Sequence, residues 1–172
     1  MGRVRHWGLL LTLAGTLVAD AAAQAVPDSI RGAYPALPPG AASVPFEVVR
    51  ALSTPMSSID EPVQQVLGTE TQWRAWWTRF YSFLAPIPEP PAFEEGRVAA
   101  VIALGRMPSA GYHVGVEGVF DADGERWIAV RMEVPGPTCI VSQVQTAPAT
   151  AVWMPPSRGP VRFLERRVER SC

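Results

Sequence analysis

Histidine is the side chain that most readily moves a proton near neutral pH, and this chain has two, His6 and His113. His6 belongs to the arginine-bearing start of the chain, so any proton-transfer chemistry in the body of the protein falls to His113. That residue sits in the middle of an alternating strand pattern with no acid or nucleophile at motif spacing, and reads as a structural or surface histidine. There is no HExxH, no GxSxG and no glycine-rich phosphate loop followed by Lys-Ser/Thr. Asp121-Ala122-Asp123-Gly124 carries the opening of a calcium loop, but the later ligands and the closing glutamate are missing, so it reads as a hairpin turn. The expectation is a protein with no catalytic residue, no metal site and no cofactor, that is, not an enzyme.

The cysteines Cys139 and Cys172 offer one more kind of chemistry. An even count in an exported chain favours a disulfide, because the compartment is oxidising. Export is read from the first residues: Arg3, Arg5 and His6 give a positive start, Trp7 to Ala19 an uncharged apolar run, and Ala21-Ala22-Ala23 small side chains before Gln24. Ala19-Asp20-Ala21 is a neighbouring cleavage option. The apolar run is shorter than the roughly 20 residues a bilayer span requires, and no cysteine stands near the cut to carry a lipid. Residues 1–23 are therefore read as a signal peptide, and the product as exported, periplasmic or extracellular, with no membrane attachment after cleavage.

Hydrophobic residues make up 48% of the chain and charged residues 18%, which suits one globular domain. The formal net charge of −1 falls to −2 when Arg3, Arg5 and Asp20 leave with the leader, and that gives no electrostatic footprint for nucleic acid. All fifteen basic residues are arginine. Residues 24–45, with five prolines between Ala25 and Pro45, read as a solvated Pro-rich linker, and residues 46–172 as the domain.

Positioning falls to a few elements. Phe46 to Ala51 reads as a first strand. A helix begins at Thr69, with Gln72 three residues on to form a capping box, and carries Trp73, Trp76, Trp77, Phe80, Tyr81 and Leu84 down one face. That aromatic stripe reads as core, and Pro86, Pro88, Pro90 and Pro91 end the helix. Val98 to Leu104 is apolar on both faces, as a central strand must be. Tyr112 to Glu117 and Trp127 to Val134 alternate and read as antiparallel strands around the Asp123-Gly124 turn. Further short strands are expected at 140–146, 150–154 and 161–168. Gly105 and Gly111, around Arg106-Met107-Pro108-Ser109-Ala110, read as the glycines of a wide or bulged hairpin with Tyr112 opening its second strand. The fold class is α+β, a predominantly antiparallel sheet with one amphipathic helix packed on one face.

The run Val98-Ala99-Ala100-Val101-Ile102-Ala103-Leu104-Gly105, followed by Ser109-Ala110-Gly111-Tyr112-His113-Val114, resembles the central motif of the protease complex subunit PrcB family. Gln72-Trp73-Arg74-Ala75-Trp76-Trp77 is similar to that family's tryptophan-bearing helix. Val134-Pro135-Gly136-Pro137-Thr138-Cys139 and Gln145-Thr146-Ala147-Pro148 are similar to its Pro-Gly turn and its Thr-x-Pro before a valine-rich strand. Ala110 stands where many relatives have a second glycine. The resemblance runs from about Phe46 to the C-terminus. It implies a noncatalytic accessory domain that associates with or stabilises an extracytoplasmic protease or another envelope protein, and it transfers no catalytic residue.

For a partner surface, the helix is expected to cover the face bearing Ile128, Val130 and Met132. The opposite face, with Trp127, Arg131 and Glu133, is then left for binding, and the loop residues Arg106 and Ser109 form a second candidate. The rival reading is a small-ligand or glycan-binding domain, which needs an exposed aromatic platform at Trp127 or Trp153.

Overall fold

A strand that is apolar at every position needs cover on both sides, and Val98–Leu104 (β4) has it. The structure is a computed structural model that describes residues 24–172; the leader assigned to residues 1–23 lies outside the described residues. Ala99, Val101 and Ala103 face the helix Glu70–Phe80, while Ala100, Ile102 and Leu104 face a second sheet. The helix therefore packs on one face of a sheet as expected, but the Ile128 and Val130 face that was assigned to it is covered by the other sheet.

In chain order, β1 (Ala42–Ser43), β2 (Glu47–Val48), β3 (Pro62–Leu67), β4, β5 (His113–Ala122), β6 (Glu125–Pro135), β7 (Ala149–Met154) and β8 (Val161–Arg170) divide into two four-stranded sheets. Their orders are β2-β7-β4-β3 and β1-β5-β6-β8. Every pairing is antiparallel except β6 with β8, which is parallel. The β5–β6 hairpin turns on Asp123 and Gly124, both with positive φ, as a two-residue turn of matching twist requires. The expected strand at 46–51 shortens to β2 followed by a 3-10 turn at Arg50–Leu52, and β3 fills a stretch without an alternating signal. Residues 140–146 form no strand; Ile140 is fully exposed in a loop, and only Thr146 bridges to Met107.

The Gly105 to Tyr112 segment joins two different sheets, so it is a crossover and not a hairpin. Its glycines still have the backbone of a sharp turn, with φ of 75° at Gly105 and 92° at Gly111.

The helix α2, Glu70–Phe80, starts at Thr69, whose hydroxyl accepts the Gln72 N–H at 3.2 Å. Gln72 returns its side chain to the Gly68 N–H, one residue before the position a capping box would use. Trp73, Trp76, Trp77 and Phe80 are buried on β4 and β7, whereas Leu84 falls beyond the helix and is exposed. The prolines that follow also act as acceptors: Trp73 Nε1 donates to the Pro91 carbonyl at 2.9 Å and Trp77 Nε1 to the Pro88 carbonyl at 2.6 Å. Burial of an indole N–H favours such a partner, which the Trp76 Nε1 on the same helix lacks among the described residues.

The 24–45 segment is not a solvated tether. It forms a short helix α1, Asp28–Ala33, and β1, and it buries Val26, Tyr34, Leu37 and Ala41 against Phe120 and Ala129 on the outer face of the β1-β5-β6-β8 sheet. Its prolines leave ladder pairing to Ala42–Ser43 and the Ala25–Ala42 bridge, and its apolar side chains recur often enough to form a strap. Four layers result, in the order helix, sheet, sheet, strap. Cys139 and Cys172 are bonded, with Cα atoms 5.2 Å apart, tying the end of β8 to the loop after β6. Among the described residues no helix is long and apolar enough to cross a membrane.

Candidate functional site

The outer face of β6 does bring Trp127, Arg131 and Glu133 together, but the strap covers part of it. Trp127 is half-buried against the strap cluster, and its indole N–H has no partner among the described residues. Arg131 is held by Glu133 at 2.8 Å and lies 3.8 Å from Glu117. Glu117 is the centre of this face. The β5–β6 register slips between Val116 and Gly118, so Glu117 is the extra residue of a β-bulge, and bulges re-aim side chains. Arg166 on β8 grips the Glu117 carboxylate with two bonds, of 2.8 and 2.7 Å, and the Tyr34 hydroxyl donates to it at 2.8 Å. The Arg166 guanidinium holds the Glu117 carboxyl below its ordinary value against the opposing effect of burial. Burial, reinforced by the Glu117 carboxylate, pushes the Tyr34 hydroxyl well above its own. This network fastens the strap to the sheet, and each of its charges already has a partner.

The loop candidates are also engaged. Arg106 pairs with Asp60 at 2.9 Å, and its N–H donates to the Asp60 carbonyl. Ser109 is buried, and its carbonyl accepts the Thr146 hydroxyl at 2.9 Å. His113 is exposed at the start of β5 opposite Glu133. Among the described residues no group of His, Cys, Asp and Glu is placed to hold a metal. Of the two aromatic-platform candidates, Trp153 is 7% exposed, packed 4.6 Å from Trp73 and 5.5 Å from Phe93, and Trp127 is half-buried.

A different site opens at the corner of the sandwich, where β3 and β8 are the free edges of their sheets. It is a cleft of about 640 Å³ between the sheets, within the range of sites that take a small ligand or a few peptide side chains. Ile102, Leu104, Met107, Tyr112, Met132 and Val134 make its apolar walls. Gln64, Glu165 and Arg167 stand at its mouth, with the Gln64 amide donating to Glu165 across it. The register accounts for this polar rim. Gln64 lies opposite Ile102, Glu165 opposite Val130 and Arg167 opposite Met132, so all three point into the intersheet space from edge strands. Sequence reasoning missed the cleft because β3 had no pattern and because the inward parity of β8 depends on its parallel pairing. The one available signal was Glu165 and Arg167 in step with the apolar Val161 and Phe163.

The described residues thus form a mostly antiparallel β-sandwich with a helix on one side, a strap on the other and an apolar cleft at one corner. The family model described as PrcB C-terminal matches residues 98–155, in agreement with the resemblance carried by the Leu104-Gly105 and Gly111-Tyr112 motif. The match takes in β4 to β7, the centre of both sheets, and the apolar wall residues from Ile102 to Val134. It leaves out the helix, β3 and β8, and with them the polar mouth. No curated protein and no solved structure matches the chain.

Proposed function

We propose that this chain is an exported, noncatalytic accessory domain that associates with or stabilises an extracytoplasmic protease or another envelope protein. The match of residues 98–155 to the PrcB C-terminal family carries the reading. The open corner beside that segment supports it, since a partner segment has somewhere to seat. The signal-peptide pattern read at residues 1–23 supports an encounter outside the cytoplasm, and the Cys139–Cys172 bond suits an oxidising compartment. On this reading the mature chain begins at Ala22 or Gln24, where small residues fill both signal-peptidase subsites, and the intact mass of exported material should correspond to one of these starts. Full-length chain retaining Met1 in the cytoplasmic fraction would refute it.

The deciding experiment is crosslinking in the native host envelope, purification of the endogenous chain and identification of what comes with it. A protease should be recovered, and its half-life should shorten when this chain is deleted. Recovery without any protease, and a protease complement unchanged in the deletion strain, would overturn the protease reading.

A further inference from the structure

Strand β8 runs for ten residues and, among the described residues, pairs on one side alone. The Arg170 carbonyl accepts the Gly136 N–H and the Pro160 carbonyl accepts the Arg126 N–H, so the even-numbered backbone groups point at β6. Strand alternation then turns the N–H and C=O groups of Val161, Phe163, Glu165, Arg167 and Glu169 toward the free edge. Such a row is a template for another strand. The same odd-numbered residues direct their side chains into the intersheet space, and two of them, Glu165 and Arg167, line the cleft. A strand laid along this edge therefore has its alternate side chains beside an apolar cleft walled by Met107, Tyr112 and Met132. Methionine walls adapt to differently shaped guests.

We propose that the β8 edge and the adjoining cleft receive an extended segment of a partner protein by strand addition, with apolar side chains at alternate positions and an acidic residue against Arg167. The charge assignment follows from pairing. Arg167 is exposed and takes part in none of the ion pairs among the described residues, whereas Arg162 and Arg166 on the outer face of the strand are engaged by Glu125 and Glu117. Among the described residues, the exposed Gln64–Glu165 hydrogen bond spans the mouth, and the guest has to displace it. Backbone bonds to the edge supply affinity and the cleft supplies sequence preference, as in other strand-addition sites. A single-chain amphiphile would use the cleft but leave the edge unpaired, so the observations favour a peptide. The proposal rests on the accessory-domain reading and specifies the surface that reading would use.

A phage-displayed random peptide library panned on the mature protein provides the test. The selected peptides should share alternating apolar residues with one acidic residue. Their binding should weaken by about thirtyfold, the effect of losing one hot-spot contact, in Glu165→Pro, which removes a free-edge N–H, and in Met107→Asp, which makes the wall polar. Arg167→Glu should reverse the preference from acidic to basic peptides. Circular dichroism checks the fold, and if Glu165→Pro fails to fold the other two variants still decide. Absence of enrichment, peptides that bind all variants as tightly as wild type, or a cleft that takes decanoate but no peptide would overturn the proposal. The two readings fail separately. A protease still recovered undiminished by Met107→Asp and Arg167→Glu removes this groove and leaves the accessory role, while peptide binding without any protease in the envelope removes the protease and leaves the groove.

Discussion

Glu117 has nothing in its sequence neighbourhood to distinguish it from His113 or Glu133, yet the bulge gives it Tyr34, Arg131 and Arg166 as neighbours. Because the folded state holds its carboxyl below the ordinary value of 4.5, Glu117 contributes stability that is fully present above that pH. The contribution is lost as pH falls through the lower folded value. Glu117→Gln should therefore be less stable than wild type by about 1.5 kcal/mol at neutral pH, and urea midpoints of the two should converge in acid; a constant gap down to the acid limit would contradict it. Tyr34 acts at the other limb, since its raised value makes its contribution complete below its ordinary 10.0 and lost as pH climbs above that. Next to Glu117, a Cβ on Gly118 would lie 2.2 Å from the Phe120 ring. Gly118→Ala should cost about 1 to 3 kcal/mol by overpacking, read as a lower denaturation midpoint, and an unchanged midpoint would show that the Phe120 ring can move aside.

At the scale of elements, β8 is the exposed outer strand of its sheet, and the bond from Cys172 to Cys139 restrains the chain just past its end. The sequence separation of 33 sets the loop closed in the unfolded chain, so the Cys139→Ser, Cys172→Ser double variant should lose about 3 to 4 kcal/mol in the chain-entropy account. Amide exchange along 161–170 should rise before that of β4, and equal protection of both strands would place the effect elsewhere. The elements legible in the sequence were those whose signal is local: α2 from its cap and aromatic stripe, β4 from its unbroken apolar run, and the β5–β6 hairpin from Asp123-Gly124. What was not legible depended on pairing across the fold. The 98–104 and 112–117 strands look like hairpin partners because they are neighbours in sequence, but β4 prefers β3 and β7 while β5 prefers β1 and β6. The same limit hid the cleft, whose mouth residues Gln64, Glu165 and Arg167 come from edges distant in sequence.

For the whole molecule the unexpected layer is the strap, where proline content argued for a tether and burial decided for a packed segment. The two differ sharply in energetics. A tether contributes almost nothing to stability, and its removal leaves the domain unchanged. The strap instead covers Phe120 and Ala129, which are 2% and 1% exposed, with Tyr34 and Leu37, and it hydrogen-bonds to the sheet through Tyr34 and Glu117. Its prolines lower the ordering cost, because they already restrict the unfolded segment. Leu37→Ala should therefore destabilise the protein by about 2 to 3 kcal/mol, the cost of truncating a buried leucine where the site can partly collapse. A chain begun at Ala42 should be less stable still and should bind a hydrophobic dye through the uncovered sheet. Trp127, half-buried against the strap, reports the same event by a red-shifted emission, read against a Trp127→Phe background to separate it from the indoles of α2. If Leu37→Ala and the shortened chain unfold at the wild-type midpoint with no dye binding and no spectral shift, the segment is a tether after all, and the outer face with Trp127, Arg131 and Glu133 returns as an open surface.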